Sequence, residues 1–150
     1  MTTTTPAPTA NGRVIALAHY AARALLEGVL TRHGATFHQS VTLRVVVAAG
    51  GAIGRDELVG DVVGSLKTDV PVVCGVIEEL TAAMLLEEDP ADASRMRLTD
   101  AGRQLYESTT TETAEISARL YAGIPAEDLA VAGRVLTLIT ERANAELAGA

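Results

Sequence analysis

The sequence predicts a mainly α fold with a small β element, which is the α+β class. Apolar residues recur at spacings of three or four along most of the chain from Arg13 onward, the pattern of helices with one buried face. Residues 84–102 differ, because they contain two short runs, 85–89 and 94–98, separated by Pro-Ala-Asp-Ala. This arrangement predicts a β-hairpin with a four-residue loop.

The N-terminal part is predicted to be a tail followed by a helix. Residues 1–12 contain neither charge nor apolar periodicity, which indicates a disordered tail. Residues 13–33 are rich in alanine and leucine, which are good helix formers and here make a wide apolar stripe. Gly34 ends this predicted helix.

Residues 39–49 are ambiguous between strand and helix. Their valines favour a strand because β-branched side chains are restricted in helices, whereas Ser40 can cap a helix. Local propensity alone therefore favours a strand. Gly50 and Gly51 end the segment, and residues 52–54 are short enough to form one strand that pairs with the hairpin.

Two further helices are predicted before the hairpin. Residues 55–66 place apolar side chains on one helical face and begin with acidic residues, which are favourable at a helix N-terminus. Residues 70–83 form the next helix, in which Pro71 falls in the tolerant first turn. The inward stripe of this helix consists of Val73, Ile77, Leu80 and Met84.

After the hairpin, Thr99 is predicted to cap a long helix that ends near Tyr121. Gly102 is predicted to let the first turn of this helix lie close to another backbone segment. With an apolar helix before it and this long helix after it, the hairpin is similar to the wing of a winged-helix domain. The last helix begins at Pro125, after a stop at Gly123.

The last helix carries two apolar faces. One face consists of Leu129, Ala132, Leu136, Ile139, Ala143 and Leu147, and the other of Val131, Val135 and Leu138. A terminal helix with apolar residues on most sides cannot cover them within one small domain. We therefore expect the chain to form a homodimer.

Charge argues against broad attraction to nucleic acid. The chain has 12 basic and 19 acidic residues, for a net charge of −7. The imbalance is concentrated in residues 55–99, which contain four bases and ten acids.

Cysteine, histidine and motif content exclude several classes of protein. The single cysteine, Cys74, gives no disulfide framework, and three scattered histidines give no metal site, so we expect no metal and no cofactor. Cys74 is interpreted as a packing residue in preference to a redox sensor. The sequence contains none of the phosphate-loop, nucleophile-elbow or zinc-protease motifs, and we expect no enzyme activity. The lack of a long uninterrupted apolar run predicts a cytoplasmic protein that is not inserted in a membrane.

Two local motifs and the order of elements resemble the MarR family of transcriptional regulators. The motifs are Leu-Thr-Asp-Ala-Gly at residues 98–102 and Arg-Leu-Tyr-Ala-Gly-Ile-Pro-Ala-Glu-Asp-Leu at residues 119–129. The resemblance covers residues 13–148. It implies a winged helix-turn-helix with N- and C-terminal dimerisation helices, and by it residues 39–49 form a helix despite their valines.

The domain division follows from the same resemblance. Residues 13–150 are expected to form a single MarR-like domain after the tail. Within it, residues 13–37 and 100–150 are the expected dimerisation helices, and residues 38–99 are the expected DNA-binding lobe.

The resemblance also implies contacts with double-stranded DNA. In such proteins the helix before the wing enters the major groove, and a basic residue of the wing reaches the minor groove or the backbone. The candidate DNA-binding residues are Arg55, Lys67, Thr68, Pro71, Val72, Gly75, Arg95 and Arg97.

The DNA-reading segment departs from the family pattern in two respects. Positions where the family usually has hydroxyl or basic side chains hold Pro71, Val72, Cys74, Gly75 and Glu79. The wing is shortened and its arginine displaced by one, and its first strand holds acidic residues that repel phosphates within a Debye length of about 8 Å. Affinity for DNA is therefore expected mainly from the four basic side chains of this region, Arg55, Lys67, Arg95 and Arg97. The apolar Val72 can contact a thymine methyl group.

A ligand site is expected beside the first helix. His19 and Arg23 are four residues apart, so they share a helix face that could hold an anionic or phenolic ligand. Because family members often bind small aromatic acids between the dimer helices and the DNA-binding lobe, Tyr20, Phe37 and His38 are added as candidates.

The predicted function is a ligand-responsive transcriptional repressor that acts as a homodimer on a pseudo-palindromic operator. The alternative is a winged-helix dimer that has lost DNA binding and serves as a small-molecule or protein-binding module. The donor-poor helix at residues 70–83 is the main support for this alternative.

Overall fold

Six helices and three short strands are present in residues 5–150, which the computed structural model describes. They are α1 (Gly12–Arg32), α2 (Phe37–Ala48), β1 (Ala52–Gly54), α3 (Arg55–Leu66), α4 (Val70–Ala82), β2 (Leu86–Asp89), β3 (Asp92–Leu98), α5 (Asp100–Tyr121) and α6 (Ala126–Ala148). The predicted mainly α fold with a small β wing is confirmed. Of the predicted tail, residues 1–4 lie outside the described residues, and residues 5–11 belong to no helix or strand.

The three strands form one antiparallel sheet in the order β1-β3-β2. The predicted four-residue hairpin loop is wrong, since β3 already begins at Asp92 and only Pro90 and Ala91 connect the strands. The Asp89 carboxylate accepts a hydrogen bond from the backbone N–H of Ala91 at 2.9 Å, which favours this tighter turn. Asp89 then pairs with Asp92 after a register irregularity.

Of the ambiguous residues 39–49, all but the C-cap Ala49 are helical, which the family resemblance implied although local propensity favoured a strand. Helix α2 is capped at Thr36 and not at Ser40: Thr36 Oγ1 accepts from the Gln39 N–H at 3.2 Å, and Gln39 Oε1 accepts from the Thr36 N–H at 3.1 Å. This reciprocal capping box fixes the start of the helix. Burial of Leu43 and Val46 in the core then outweighs the strand preference of the valines.

The hydrophobic core lies between α2, α3, α4 and the sheet. Its members include Leu43, Val46, Ile53, Leu58, Val62, Val73, Ile77, Leu80, Leu86 and Met96. Removing each large apolar side chain from water contributes roughly 1.5–3 kcal/mol. The core thus holds α4 firmly by its inner stripe and leaves its other face to solvent.

A tight junction joins the start of α5 to the start of β2. The Thr99 hydroxyl donates to the carbonyl oxygen of Met84 at 2.7 Å and accepts from the Gly102 N–H at 3.0 Å, so the predicted cap is confirmed. A Cβ at Gly102 would collide with the carbonyl oxygen of Leu85, so the predicted close backbone approach is also confirmed.

The chain divides into two compact units, one running to Ala114 and the other comprising Glu115–Ala150, with the boundary inside α5. In the second unit, Gly123 has φ 76° and ends the turn between α5 and α6, as predicted. No residue of α6 is buried in the single chain, although both of its faces are apolar. The predicted single domain over residues 13–150 stays a prediction.

Helix α1 is apolar and largely exposed in the single chain. By length and composition alone it could cross a membrane, since an 18-residue window has a mean hydropathy of 1.3 and is only 11% buried. This single helix is weak evidence for a membrane span, because Arg23 and Glu27 interrupt its apolar sequence, and the expected cytoplasmic location stays a prediction. An apolar helix that packs against a partner chain meets the same criteria.

Candidate functional site

Helix α4 presents an apolar face to solvent in its first turns. Val70 and Val72 are 52% and 45% exposed, Pro71 is also exposed, and Gly75 is half-buried. On the opposite side Val73, Val76, Ile77 and Leu80 are buried in the core. A helix held by one face and open along the other, directly before a β-hairpin, is the arrangement by which winged-helix proteins contact DNA.

The hairpin carries two arginines on the same face of β3, because residues two apart in a strand point to the same side. Arg95 lies opposite Gly54 of β1, and Arg97 lies opposite both Ala52 and Glu87. The Arg97 Nε is 2.7 Å from Glu87 Oε1, and both side chains are more than 40% exposed. This ion pair neutralises Arg97 as a contact for phosphate unless the pair opens.

The remaining bases lie at the two ends of α3. Arg55 is the first residue of this helix, is half-buried, and has its Nη1 3.9 Å from the sulfur of Met96. Lys67 is exposed at the other end in a left-handed conformation with φ 55°, and half-buried Thr68 follows it in the turn before α4. The structure thus places Lys67 and Thr68 immediately before the exposed turns of α4, while Arg55 is next to the sheet.

Acidic side chains lie on the same segments as these basic residues. Among the exposed ones are Asp69 at the start of α4, Glu78 and Glu79 further along it, and Glu88 and Asp92 in the hairpin. Hydrogen bonds from the hydroxyl and the backbone N–H of Ser94 hold the pKa of the Asp92 carboxyl below its usual value of 3.8. The hairpin turn is therefore negatively charged at neutral pH.

The candidate ligand residues form two contacts at the α1–α2 corner. The guanidinium carbon of Arg23 lies 4.0 Å from the centre of the Phe37 ring, which is a cation–π distance, and Arg23 Nε is 3.3 Å from Glu27 Oε1. Phe37 also meets the ring of His38 edge-on at 6.1 Å. Of the five candidates, Arg23, Phe37 and His38 are thus connected across the two helices.

His19 and Tyr20 lie about one turn before Arg23 in α1 and are exposed. Their rings meet edge-on at 6.0 Å, and 65% of Tyr20 is accessible to solvent. The aromatic contact of His19 and Tyr20 is thus with one another, and their shared position on α1 relates them to Arg23 through helical spacing alone.

Two polar connections were missed by the sequence reasoning. Gln39 Nε2 donates to Glu79 Oε2 at 3.0 Å and so ties α2 to α4. Glu112 of α5 is 2.8 Å from Arg32 Nη2 and 3.1 Å from His33 Nε2. The Thr-x-x-Gln pattern at residues 36–39 signals the capping box, but neither connection has a local signal, because the partners are 40 residues apart in the first and 79 or 80 apart in the second.

These features define a winged helix-turn-helix protein. No family model matches the sequence, and no curated protein does. Among solved structures, a MarR-family transcriptional regulator from Rhodococcus sp. RHA1 is 18% identical with a TM-score of 0.72, covering 86% of this chain and 92% of its own.

Two further structures are similar. The Staphylococcus aureus MepR–DNA complex is 19% identical with a TM-score of 0.72 over 89% of this chain and 96% of that one. CouR from Rhodococcus jostii RHA1, bound to p-coumaroyl-CoA, is 17% identical with a TM-score of 0.74 over 86% of this chain and 90% of that one. The chain therefore has the fold of the MarR-family transcriptional regulators.

Proposed function

We propose that this chain belongs to the MarR family and is a ligand-responsive transcriptional regulator that binds double-stranded DNA as a homodimer. The observation that carries the proposal is α4, buried by one face and exposed at Val70–Val72, directly before a hairpin whose second strand carries Arg95 and Arg97. MepR, which has the same fold, was crystallised with DNA. The proposed form of regulation is repression from a pseudo-palindromic operator, since a two-fold dimer would present one such helix to each half-site.

The proposed DNA contacts follow from the positions of the basic side chains. Arg95 on the wing and Lys67 before α4 supply phosphate contacts. Arg55 supports the wing through its contact with Met96. Arg97 supplies a further phosphate contact when its ion pair with Glu87 opens. Thr68 and the exposed turns at Pro71, Val72 and Gly75 face the groove. Since few of these groups donate hydrogen bonds to bases, DNA shape and apolar contacts contribute most of the sequence preference.

Dimerisation is supported by the apolar surfaces of α1 and α6. Leu17 and Leu25 on α1 are exposed in the single chain, as are Leu136, Leu138 and Ile139 on α6. A second copy of the chain would bury both surfaces. The apolar composition of α1 would then be that expected of an interface helix in a cytoplasmic protein, and no membrane would be needed to explain it.

A small aromatic acid is the proposed effector. The Arg23 guanidinium can pair with a carboxylate while Phe37 and His38 contact an aromatic ring, and His19 and Tyr20 extend this surface. NadR with 4-hydroxyphenylacetate and CouR with p-coumaroyl-CoA are similar folds that hold phenolic ligands.

The test is a mobility-shift titration with DNA from upstream of the gene, run across a salt series. Binding that weakens steeply with salt, and that a scrambled fragment does not reproduce at the same protein concentration, supports the proposal. Absence of any shift at ~50 mM salt would overturn it.

That negative result would favour the alternative of a dimer that binds a small molecule or a protein and not DNA. A specific observation supports this second candidate: the outer face of α4 combines exposed valines with Glu78 and Glu79, and Glu87 already neutralises Arg97.

A further inference from the structure

We propose that Gln39 is a positioning residue that couples the Arg23–Phe37 contact to the orientation of α4. In terms of regulation, this inference rests on the proposed function, because Arg23 and Phe37 belong to the proposed effector site and α4 to the proposed DNA-binding face. The coupling itself is a property of the folded chain and can be measured without either ligand.

The side-chain amide of Gln39 is bonded at both ends. Its oxygen accepts from the N–H of Thr36 at 3.1 Å and so helps to fix the first turn of α2. Its nitrogen donates to Glu79 Oε2 on α4 at 3.0 Å. Since the amide group is planar and rigid, a shift in the first turn of α2 changes the position of the donor that holds Glu79.

The other end of the connection is the contact between α1 and α2. Phe37 is the first residue of α2, directly after the Thr36 cap, and Arg23 of α1 lies over its ring at 4.0 Å. An anion that pairs with the guanidinium competes with this cation–π contact. Drawing Arg23 off the ring therefore removes a contact that holds the same turn to which Gln39 belongs.

The chemistry of position 39 allows the two roles of Gln39 to be separated. A glutamate accepts from the Thr36 N–H as well as glutamine does and keeps the capping box. It cannot donate to Glu79, however, and it places two carboxylates opposite one another. Gln39→Glu therefore preserves α2 and breaks only the connection to α4.

Hydrogen–deuterium exchange of the full-length protein tests the coupling. In the wild-type background, Arg23→Ala is expected to speed exchange about threefold both in the first turn of α2 and in α4 near Glu79, because exchange follows the local opening equilibrium. In the Gln39→Glu background, Arg23→Ala should still speed exchange in α2 but leave α4 unchanged. Glu78→Gln, which alters charge on α4 beside the connection, is the control and should leave the effect of Arg23→Ala on α4 intact.

The double variant Gln39→Glu/Glu79→Gln reverses donor and acceptor at constant net charge and should restore the response of α4 to Arg23→Ala. A purely structural role for Gln39 predicts no such rescue. The proposal is overturned if α4 responds equally in wild type and Gln39→Glu, or if it responds in neither. Because the measurement uses no DNA and no effector, a failure here is distinct from a failure of the mobility-shift test.

Discussion

At Gly102, the absence of a side chain is what allows α5 to start against the backbone of Leu85. The Thr99 hydroxyl completes the junction by bonding to Met84 and capping the helix. Neither feature depends on the wider core, because each requires one residue type at one position. For this reason the sequence motif at residues 98–102 was sufficient to predict both.

Gly102→Ala should destabilise the protein by about 1–3 kcal/mol, since the new methyl group collides with a carbonyl oxygen that belongs to the backbone. Thermal unfolding followed by circular dichroism measures the effect. Gly60→Ala, at a helical position with open space around it, is the matched control and should be neutral or slightly stabilising. Equal melting temperatures for the two variants would contradict the close approach.

Arg95→Ala should weaken binding to every DNA sequence alike and reduce the salt dependence of binding by about one unit of slope, as expected for one lost phosphate contact. Fluorescence anisotropy at several salt concentrations gives the slope. Lys67→Ala should behave in the same way, whereas Arg44→Ala, on the exposed side of α2, should not. Wild-type affinity in both Arg95→Ala and Lys67→Ala would remove these residues from the interface.

Arg23→Ala should lose binding of an aromatic carboxylate, because it removes the cation at the α1–α2 corner. Isothermal titration with salicylate, using Arg32→Ala as a control arginine at the end of the same helix, measures this. Identical isotherms for Arg23→Ala and wild type would exclude Arg23 from the ligand site.

At the scale of the elements, the first and last residues of most helices could be predicted from apolar periodicity and from capping and stop residues such as Thr99 and Gly123. The exception is α2, where the valines favour a strand and the deciding factors are a reciprocal cap at Thr36 and burial against α3 and α4. The polar contacts of the site could not be predicted, because they depend on register and packing. The pairing of Arg97 with Glu87, for example, follows from their opposition in the hairpin, and a four-residue loop would not give it.

The link between the end of α1 and α5 should depend on pH. Hydrogen bonds from His33 and then Arg32 hold the pKa of Glu112 below its usual value of 4.5. Because this pKa is lowered by folding, the stabilisation is present above pH 4.5 and is lost as the pH falls through the lowered pKa.

Glu112→Gln should therefore lower the melting temperature more at about pH 7 than near pH 3, because the wild-type carboxyl gains protons as the pH falls below 4.5 and through its lowered pKa. Glu107→Gln, on an exposed position of the same helix, serves as the control. An equal difference between wild type and Glu112→Gln at both pH values would contradict the assignment.

For the whole molecule, the apolar surfaces of α1 and α6 are the basis of the proposed homodimer. We expect light scattering to give twice the mass of one chain at micromolar concentration, and a monomer would exclude the proposed homodimer. Ile139→Asp and Leu136→Asp should each dissociate or unfold the protein, because they bury an unpaired charge in the interface at a cost of several kcal/mol. Asn144→Asp adds the same charge to the same helix at a polar position and should remain dimeric.

The junction at Gly102 also has a mechanical consequence. Because Thr99 is bonded to Met84 and Gly102 lies against Leu85, we expect the first turn of α5 and the base of the hairpin to rotate together. Strand β2 is four residues long, about 13 Å, so a 10° rotation of this turn would sweep the hairpin tip through about 2 Å. A displacement of that size exceeds the tolerance of a hydrogen bond, so we expect a small rotation at the start of α5 to be enough to break the proposed contact between the wing and a phosphate.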